Sequence, residues 1–343
     1  MSKTLIIIIG IIYAVIAAAG CSPSPQKETP QQTPVKTTHY RDKEYLLELD
    51  KGKIIVVRND LCDANIRKTK EKTSNLSREQ LFDYNYDHVQ DVLNKLGIPH
   101  TLIGKSELEK DDYSLDDKWA ILFNCNDSRQ HCCNRNHILD GKRGDHVRHC
   151  EGEGHHIFHE TKLNEKTMQK IKRFVETGGY LFTEDLNIEE IYSWYSSPRS
   201  VFRGIIANTK YIQEQEVEIL PSRNAEKHPY LKYVFELPAQ PDTKIKWKID
   251  GDSPNIKIID KEVTALIVSP QLKKEKEGQV IDEGIMAVTS SVLNKVTGKP
   301  GGQVLHVMSH FDRQTSNAGE FALTNLLINF LEECAQRHSK KNK

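Results

Sequence analysis

Acidic and imidazole side chains follow several short apolar runs of this chain, and together they could carry acid–base chemistry or hold a metal ion. Clustered carboxylates raise one pKa toward neutrality, and a histidine with an ordinary pKa of about 6.5 can carry the proton. The candidate catalytic residues are Asp60, Glu184, Asp185, His310 and Asp312. Loops at strand ends are commonly polar because Asp and Asn form turns, so a purely structural role stays open beside a functional one.

A second group of candidates lies in the Cys/His-rich stretch 125–160, which holds half of the fourteen histidines and four of the seven cysteines. Thiolate and imidazole are ligands for zinc or copper, although the stretch has no Cys-x-x-Cys or His-Glu-x-x-His spacing. Exported cysteines more often form disulfides, and an even number, six, remains if Cys21 is lipidated. The disulfide candidates are Cys62, Cys125, Cys132, Cys133 and Cys150. The weaker alternative is a zinc site at Cys132, Cys133, His149 and Cys150. The third alternative is that the cysteines are free thiols. Apart from the possible zinc, no cofactor is expected.

The elements that must position these residues alternate between strand and helix in the first half of the chain. Apolar runs predict strands at 54–57, 98–103, 119–123 and 180–183, with amphipathic helices at 81–96 and 163–177. Shorter strands are predicted at 217–220, 244–249, 256–259 and 264–268, then strands returning to the main sheet at 284–289 and 303–308, and a closing helix at 321–334. This order predicts an α/β fold with a doubly wound, mainly parallel, flavodoxin-like sheet and β-rich insertions in the second half.

The topology links the strands to the candidate residues. Ligands of doubly wound sheets bind beyond the carboxyl ends of the strands, where Asp60, Glu184, Asp185 and His310 are expected to converge. Cys62 and Cys125 follow the first and third strands, which are expected to be neighbours. The two Cα atoms are therefore expected within disulfide reach, about 4.4–6.8 Å.

Four segments carry a resemblance to a known family: 54–60, 174–185 (FVETGGYLFTED), His228-Pro-Tyr-Leu and 302–310 (GQVLHVMSH). They resemble the class I glutamine amidotransferase-like fold, as in uncharacterised exported bacterial lipoproteins. The resemblance implies a nucleophilic Cys after the fourth strand and a His-x-Glu pair after a late strand. This chain has Glu184-Asp185 at the first place and His310-Phe311-Asp312 at the second. Glutaminase activity needs an activated sulfur, so its absence at that position argues against this activity.

The amino terminus has the features of a bacterial lipoprotein signal. Lys3 precedes an apolar run of about 15 residues, too short for a stable membrane span, which ends in small residues before Cys21. Ala18 stands where the lipobox usually has Leu, and Ser22 suits sorting to the outer membrane. The predicted organisation is a signal peptide at 1–20, a lipid anchor and Pro-rich tether at 21–45, and one amidotransferase-like domain at 50–335. That domain would contain the Cys/His-rich loop at 125–160 and a β-rich insertion near 205–280.

The composition limits the possible functions. The 343 residues carry 48 basic and 48 acidic side chains, and 37% are hydrophobic. This balance excludes a multi-span membrane protein and argues against a nucleic-acid partner. The favoured hypothesis is an envelope lipoprotein, held at the membrane by its lipid, whose non-catalytic domain binds a small molecule or an envelope protein. The alternatives are a hydrolase that uses the carboxylates and His310, with or without a metal, and a structural envelope component.

Overall fold

The computed structural model of the protein describes residues 44–58, 89–124, 163–185, 187–188, 205–237, 244–249, 253–277, 279–294, 296–311 and 314–341. These ranges all belong to one compact unit, Thr37–Lys343. The α-helices in them are α1 (Glu44–Leu47), α2 (Val89–Leu96), α3 (Lys105–Leu108), α4 (Glu165–Glu176) and α5 (Asn317–Lys341). The strands of the first half are β1 (Ile54–Arg58), β2 (Thr101–Gly104), β3 (Ala120–Phe123) and β4 (Tyr180–Glu184). The second half contributes β5 (Ile205–Ile212), β6 (Gln215–Glu218), β7 (Leu220–Pro221), β8 (Lys246–Ile249), β9 (Ser253–Ile258), β10 (Val263–Val268), β11 (Lys274–Lys276), β12 (Gln279–Asp282), β13 (Ile285–Leu293) and β14 (Pro300–Val307).

The central sheet has eight strands in the order β2-β1-β3-β4-β14-β13-β10-β7. The five strands from β2 to β14 run parallel to one another. The remaining three, β13, β10 and β7, are antiparallel to theirs. Residues 54–57 are all buried, as is typical of a strand covered on both faces. The predicted mixed α/β fold with a mainly parallel central sheet is therefore confirmed.

Strand β14 approaches the start of β4 very closely, and two glycines permit this. A Cβ atom placed on Gly302 would lie 1.7 Å from the carbonyl oxygen of Gly179. The next residues in each strand, Gln303 and Tyr180, are paired in the parallel ladder. The two Gly-Gly pairs of the sequence, at 178–179 and 301–302, therefore meet where the two strands begin.

The helices begin and end at local signals that the sequence contains. Asn164 caps α4, because its side chain accepts a hydrogen bond from the Thr167 amide at 2.9 Å. The helix is followed by Gly178 at φ +119°, and α2 is followed by Gly97 at φ +70°, the left-handed conformation that glycine adopts at helix ends. Among the described residues, no helix is both long enough and apolar enough to cross a membrane.

Helix α5 packs along the sheet through a continuous row of apolar side chains. The residues predicted for its buried side are all buried, namely Leu323, Leu326, Leu327, Phe330 and Leu331. The Phe330 ring contacts the Tyr180 ring of β4 with centroids 5.2 Å apart. Trp247 of β8 donates a hydrogen bond to the Gly319 carbonyl at 3.2 Å, which ties the start of the helix to β8.

The boundaries differ from the sequence predictions in ways that have physical reasons. The second strand begins at Thr101 rather than at residue 98, after Pro99, which has no backbone N–H to donate to a ladder. Helix α5 continues to Lys341, beyond its apolar stripe. Strands β7 and β10 fall within the predicted insertion at 205–280 but are part of the main sheet. The amino-terminal part of the predicted helix at 81–96 lies outside the described residues.

Candidate functional site at the carboxyl edge of the sheet

Three neighbouring parallel strands end at one edge of the sheet, and each is followed by a polar residue. Asn124 follows β3, Asp185 follows β4, and His310 lies three residues after β14. Because β3, β4 and β14 are adjacent and parallel, their carboxyl ends meet at the same edge. We call this region the carboxyl edge.

Asp185 and His310 form a buried pair at this edge. The His310 Nε2 atom lies 2.8 Å from Asp185 Oδ2, and the side chains are 5% and 1% exposed. Because a carboxylate only accepts hydrogen bonds, Nε2 carries the hydrogen and the carboxylate orients the ring. Gln314 fixes the backbone beside the ring by donating from Nε2 to the His310 carbonyl at 2.7 Å. The pair is therefore joined by a direct hydrogen bond inside the protein.

The backbone at Asp185 is strained. Its φ is +37°, in the left-handed region that non-glycine residues rarely adopt, although Asp adopts it more readily than most. The Asp185 amide still donates to the Val307 carbonyl of β14 at 2.8 Å. The chain therefore turns sharply directly after β4, and the turn places the carboxylate against His310.

Asn187 connects this turn to the neighbouring strand. Its Nδ2 donates to the Asn124 carbonyl at 2.9 Å, and the side chain is fully buried. Since a carbonyl can only accept, the amide nitrogen must face Asn124, and Oδ1 is therefore the acceptor that points elsewhere.

The turn after β4 carries buried acceptor atoms to which none of the described residues donates a hydrogen bond. Asp185 Oδ1 and Asn187 Oδ1 are both buried, and neither has a hydrogen-bond partner in the described structure. A buried acceptor without a partner costs about 1–3 kcal/mol, and such atoms are rare in native proteins. Two of them two residues apart indicate a place where a ligand could supply the donors.

Asn124, which directly follows β3, has a structural task. Its Oδ1 accepts from the Val89 amide at 3.1 Å, and its Nδ2 donates to Gln90 Oε1 at 2.7 Å. Both partners lie in the first turn of α2. The Asn124 side chain therefore joins the end of β3 to α2, and its groups are occupied by the protein.

Two buried side chains lie just before the edge. Glu184, a predicted site residue, is the last residue of β4 and is fully buried. The preceding residue, Thr183, contacts His306 of β14, with Oγ1 2.9 Å from Nδ1. Burial lowers the pKa of His306 to about 3, so this ring is neutral at physiological pH. It cannot serve as a proton carrier near pH 7.

The structure brings together part of the predicted site. Asp185 and His310 are in contact, while Asp60 and Asp312 lie outside the described residues. Also outside them are the anchor Cys21, the candidates Cys62, Cys125, Cys132, Cys133 and Cys150, and His149. Within the described ranges, no group of three or more His, Cys, Asp or Glu side chains could hold a metal ion.

Cys334, the cysteine that the structure describes, is free and buried. Its Sγ donates to the Trp119 carbonyl at 3.4 Å, and burial raises the pKa of the thiol. Without Cys334, the number of cysteines left for pairing after lipidation of Cys21 is five rather than six. An odd number leaves at least one further thiol unpaired within the chain.

Asn187 is the site residue that sequence reasoning missed. The signal for it was the sequence Asp185-Leu-Asn187 directly after a strand, where Asp and Asn typically form turns. What distinguishes Asn187 from an ordinary turn residue is its burial and its bond to the end of β3. Neither is visible in the order of amino acids.

No protein-family model matches this chain, and no curated protein matches it. Among solved structures, the chain is similar to PurLQS from Thermotoga maritima, with 16% identity and a TM-score of 0.40 over 83% of this chain and 99% of that chain. It is also similar to a GMP synthase subunit from Thermoplasma acidophilum, with 10% identity and a TM-score of 0.42 over 86% of this chain and 100% of that chain. A third similar structure is a glutamine amidotransferase from Thermotoga maritima, with 7% identity and a TM-score of 0.41 over 84% of this chain and 100% of that chain. Similarities of this size carry no argument about activity or ligand.

Proposed function

We propose that this protein is a bacterial envelope lipoprotein whose α/β domain binds a small hydrogen-bond-donating ligand at the carboxyl edge, without glutaminase activity. Lipidation of Cys21 would hold it at the membrane, with the outer membrane as its destination, and residues 21–45 would act as the tether. The domain is proposed to be doubly wound and flavodoxin-like, with a β-rich insertion near 205–280 from which β7 and β10 are excepted, because they belong to the main sheet. An envelope protein is the alternative binding partner.

The pair of buried acceptors supports the binding proposal. Asp185 Oδ1 and Asn187 Oδ1 would each gain a donor from an ammonium, hydroxyl or amide group of the ligand. Such bonds remove an existing cost of about 1–3 kcal/mol per atom, so they favour the bound state beyond the usual strength of a hydrogen bond. The Asp185–His310 contact keeps the carboxylate in place before the ligand arrives, which reduces the entropy lost on binding.

A thermal-shift screen of the full chain in detergent tests this proposal. The panel would contain amino acids, amino sugars, simple amines and polyols, because each class offers clustered hydrogen-bond donors. A true ligand at roughly 100 times its Kd should raise the Tm of the wild type by about 5 °C. The Asp185→Asn and Asn187→Leu variants should lose most of this shift.

The matched control is Asp116→Asn, which makes the same chemical change at an exposed position. It should keep the full shift. A panel in which no compound distinguishes Asp185→Asn from Asp116→Asn would argue against ligand binding at the carboxyl edge.

A second candidate function is hydrolysis, favoured by the strained Asp185 and its contact with His310. Strained residues cluster at active sites, and a carboxylate that orients a histidine is a common device for activating water. His310 would then be the general base and Asp185 the group that positions it. Turnover of a reporter ester such as p-nitrophenyl acetate should fall about 100-fold in His310→Ala and Asp185→Asn variants that still fold. Equal turnover in these variants and the wild type would exclude this candidate.

The proposed anchor is tested separately. Changing Cys21→Ser removes the sulfur that would carry the lipid, so the protein should move from the membrane fraction to the soluble fraction. Cell fractionation with an immunoblot measures this. A Cys21→Ser protein that resists extraction by carbonate would instead indicate that the apolar run at the amino terminus is itself the anchor.

A further inference from the structure

A small cavity lies at the other end of the sheet, between helix α5, the turn at residues 228–230 and strands β10, β13 and β14. Its volume is about 130 Å³, room for roughly four water molecules at about 30 Å³ each. The side chains that matter for its chemistry are His228, Tyr230, Glu262, Ser291, Gln303 and Glu333. His228 and Tyr230 belong to the His-Pro-Tyr-Leu motif, which the carboxyl edge does not use.

This cavity is separate from the carboxyl edge. Gln303 is paired with Tyr180, the first residue of β4, whereas Asp185 follows the last residue of that strand. The four residue-to-residue steps from Gln303 to Val307 span roughly 13 Å at about 3.3 Å per step. A ligand of a few atoms cannot occupy both places.

The cavity carries negative charge. Glu262 and Glu333 contribute two carboxylates, and none of the described residues that line it is a lysine or an arginine. His228 does not offset these charges, because burial lowers its pKa and keeps the ring neutral near pH 7. Ser291 and Gln303 are occupied with each other, through Gln303 Nε2 and Ser291 Oγ at 2.8 Å. The carboxylates are therefore the groups that dominate recognition.

The walls of the cavity are fixed by the protein. The Tyr230 hydroxyl donates to Glu333 Oε2, which leaves Oε1 as a second acceptor of the same carboxylate. Asn329 of α5 donates to the carbonyls of Tyr230 at 2.8 Å and Lys232 at 2.7 Å. The Tyr230 ring also meets the Phe330 ring edge to face at 5.5 Å. A site held in this way needs little rearrangement on binding.

We propose that this cavity binds a small organic cation with N–H donors, such as a guanidinium or primary ammonium group. A guanidinium offers several donors in one plane, and carboxylates are its preferred partners. Glu333 would accept from it through Oε1, and Glu262, at the exposed side of the cavity, would add charge.

Isothermal titration calorimetry of the full chain in detergent tests this, with methylguanidinium chloride as the probe and sodium chloride keeping the ionic strength constant. The wild type should show saturable binding. Glu333→Gln should weaken it about tenfold, the effect of losing one charge-assisted hydrogen bond. Tetramethylammonium chloride, which has the charge but no N–H donor, should bind at least about tenfold more weakly than methylguanidinium.

Three further variants make the result decisive. Glu283→Gln makes the same change at an exposed position away from the cavity and should bind like the wild type. Glu262→Gln, at an exposed position that is expected to tolerate the change, should weaken binding about threefold; it replaces Glu333→Gln if that variant does not fold. Absence of saturable binding in the wild type, or equal Kd values in the cavity variants and Glu283→Gln, would overturn the proposal. Asp185→Asn should leave methylguanidinium binding in the cavity unchanged, because Asp185 lies at the carboxyl edge and not in the cavity. The calorimetric result therefore does not depend on the function proposed for the carboxyl edge.

Discussion

Replacing Gly302 by alanine should be among the most destabilising single changes in the protein. The added Cβ would lie 1.7 Å from the Gly179 carbonyl oxygen, 2.7 Å from the Gly179 carbonyl carbon and 2.9 Å from the Val175 oxygen. All three are backbone atoms, so no side-chain rotation can relieve the overlap. To reach an ordinary contact, β14 and β4 would have to separate locally by roughly 1.7 Å, and overpacking of this kind costs about 1–3 kcal/mol.

The separation would also weaken the ladder hydrogen bonds next to it, beginning at the Gln303–Tyr180 pair. One or two lost bonds add about 1–3 kcal/mol. The expected total for Gly302→Ala is therefore about 2–6 kcal/mol, and the damage falls between the two strands that carry Asp185 and His310.

Gly298→Ala is the matched control. A Cβ there meets no atom within 4 Å, but the residue has φ +66°, so alanine should cost only about 1–2 kcal/mol from backbone strain. Urea denaturation followed by circular dichroism measures both variants. If Gly302→Ala lowered the free energy of unfolding no more than Gly298→Ala, the close approach of β4 and β14 would be refuted.

Two further predictions concern buried polar groups. The pKa of His306 is about 3 in the folded protein and about 6.5 in an unfolded chain, so the unfolded state binds the additional proton between these values. His306 should therefore lower the free energy of unfolding by about 1.4 kcal/mol per pH unit as the pH drops from 6.5 toward 3. Urea titrations of the wild type and of His306→Gln at several pH values measure this contribution. An unchanged slope in His306→Gln would contradict the assignment. Tyr230→Phe removes the donor to Glu333 and should lower the free energy of unfolding by about 1 kcal/mol. A double-mutant cycle with Glu333→Gln measures the coupling energy of the two side chains. A coupling energy near zero would show that they do not interact.

Local signals made much of the parallel half predictable. The run of β-branched residues at 54–57 and the Gly-Gly pair before Tyr180 each specify an element from neighbouring residues alone. The last helix was predicted from its apolar spacing, and its buried side agrees with that pattern. These elements depend on short-range periodicity and on caps, which a sequence displays directly.

The pairing of the second half was less visible. Strand β10 was predicted as a short strand, but its place beside β13 in the main sheet depends on contacts between distant residues. The candidate site shows the same division. The sequence shows that Asp185 and His310 are ionisable residues that follow predicted strands. It does not show the φ of +37° at Asp185 or the acceptor of Asn187 to which no described residue donates, because both arise only when β3, β4 and β14 are assembled.

The place of β14 in the sheet has a consequence for how the chain folds during its synthesis. Strand β14 ends at residue 307 of 343 yet lies in the middle of the sheet, between β4 and β13. A chain that emerges amino terminus first from the ribosome therefore has an open edge at β4 until β14, Pro300–Val307, has appeared. Open edges pair readily with other chains. The central sheet can therefore close only after β14 has emerged, and until then the incomplete sheet is exposed to self-association.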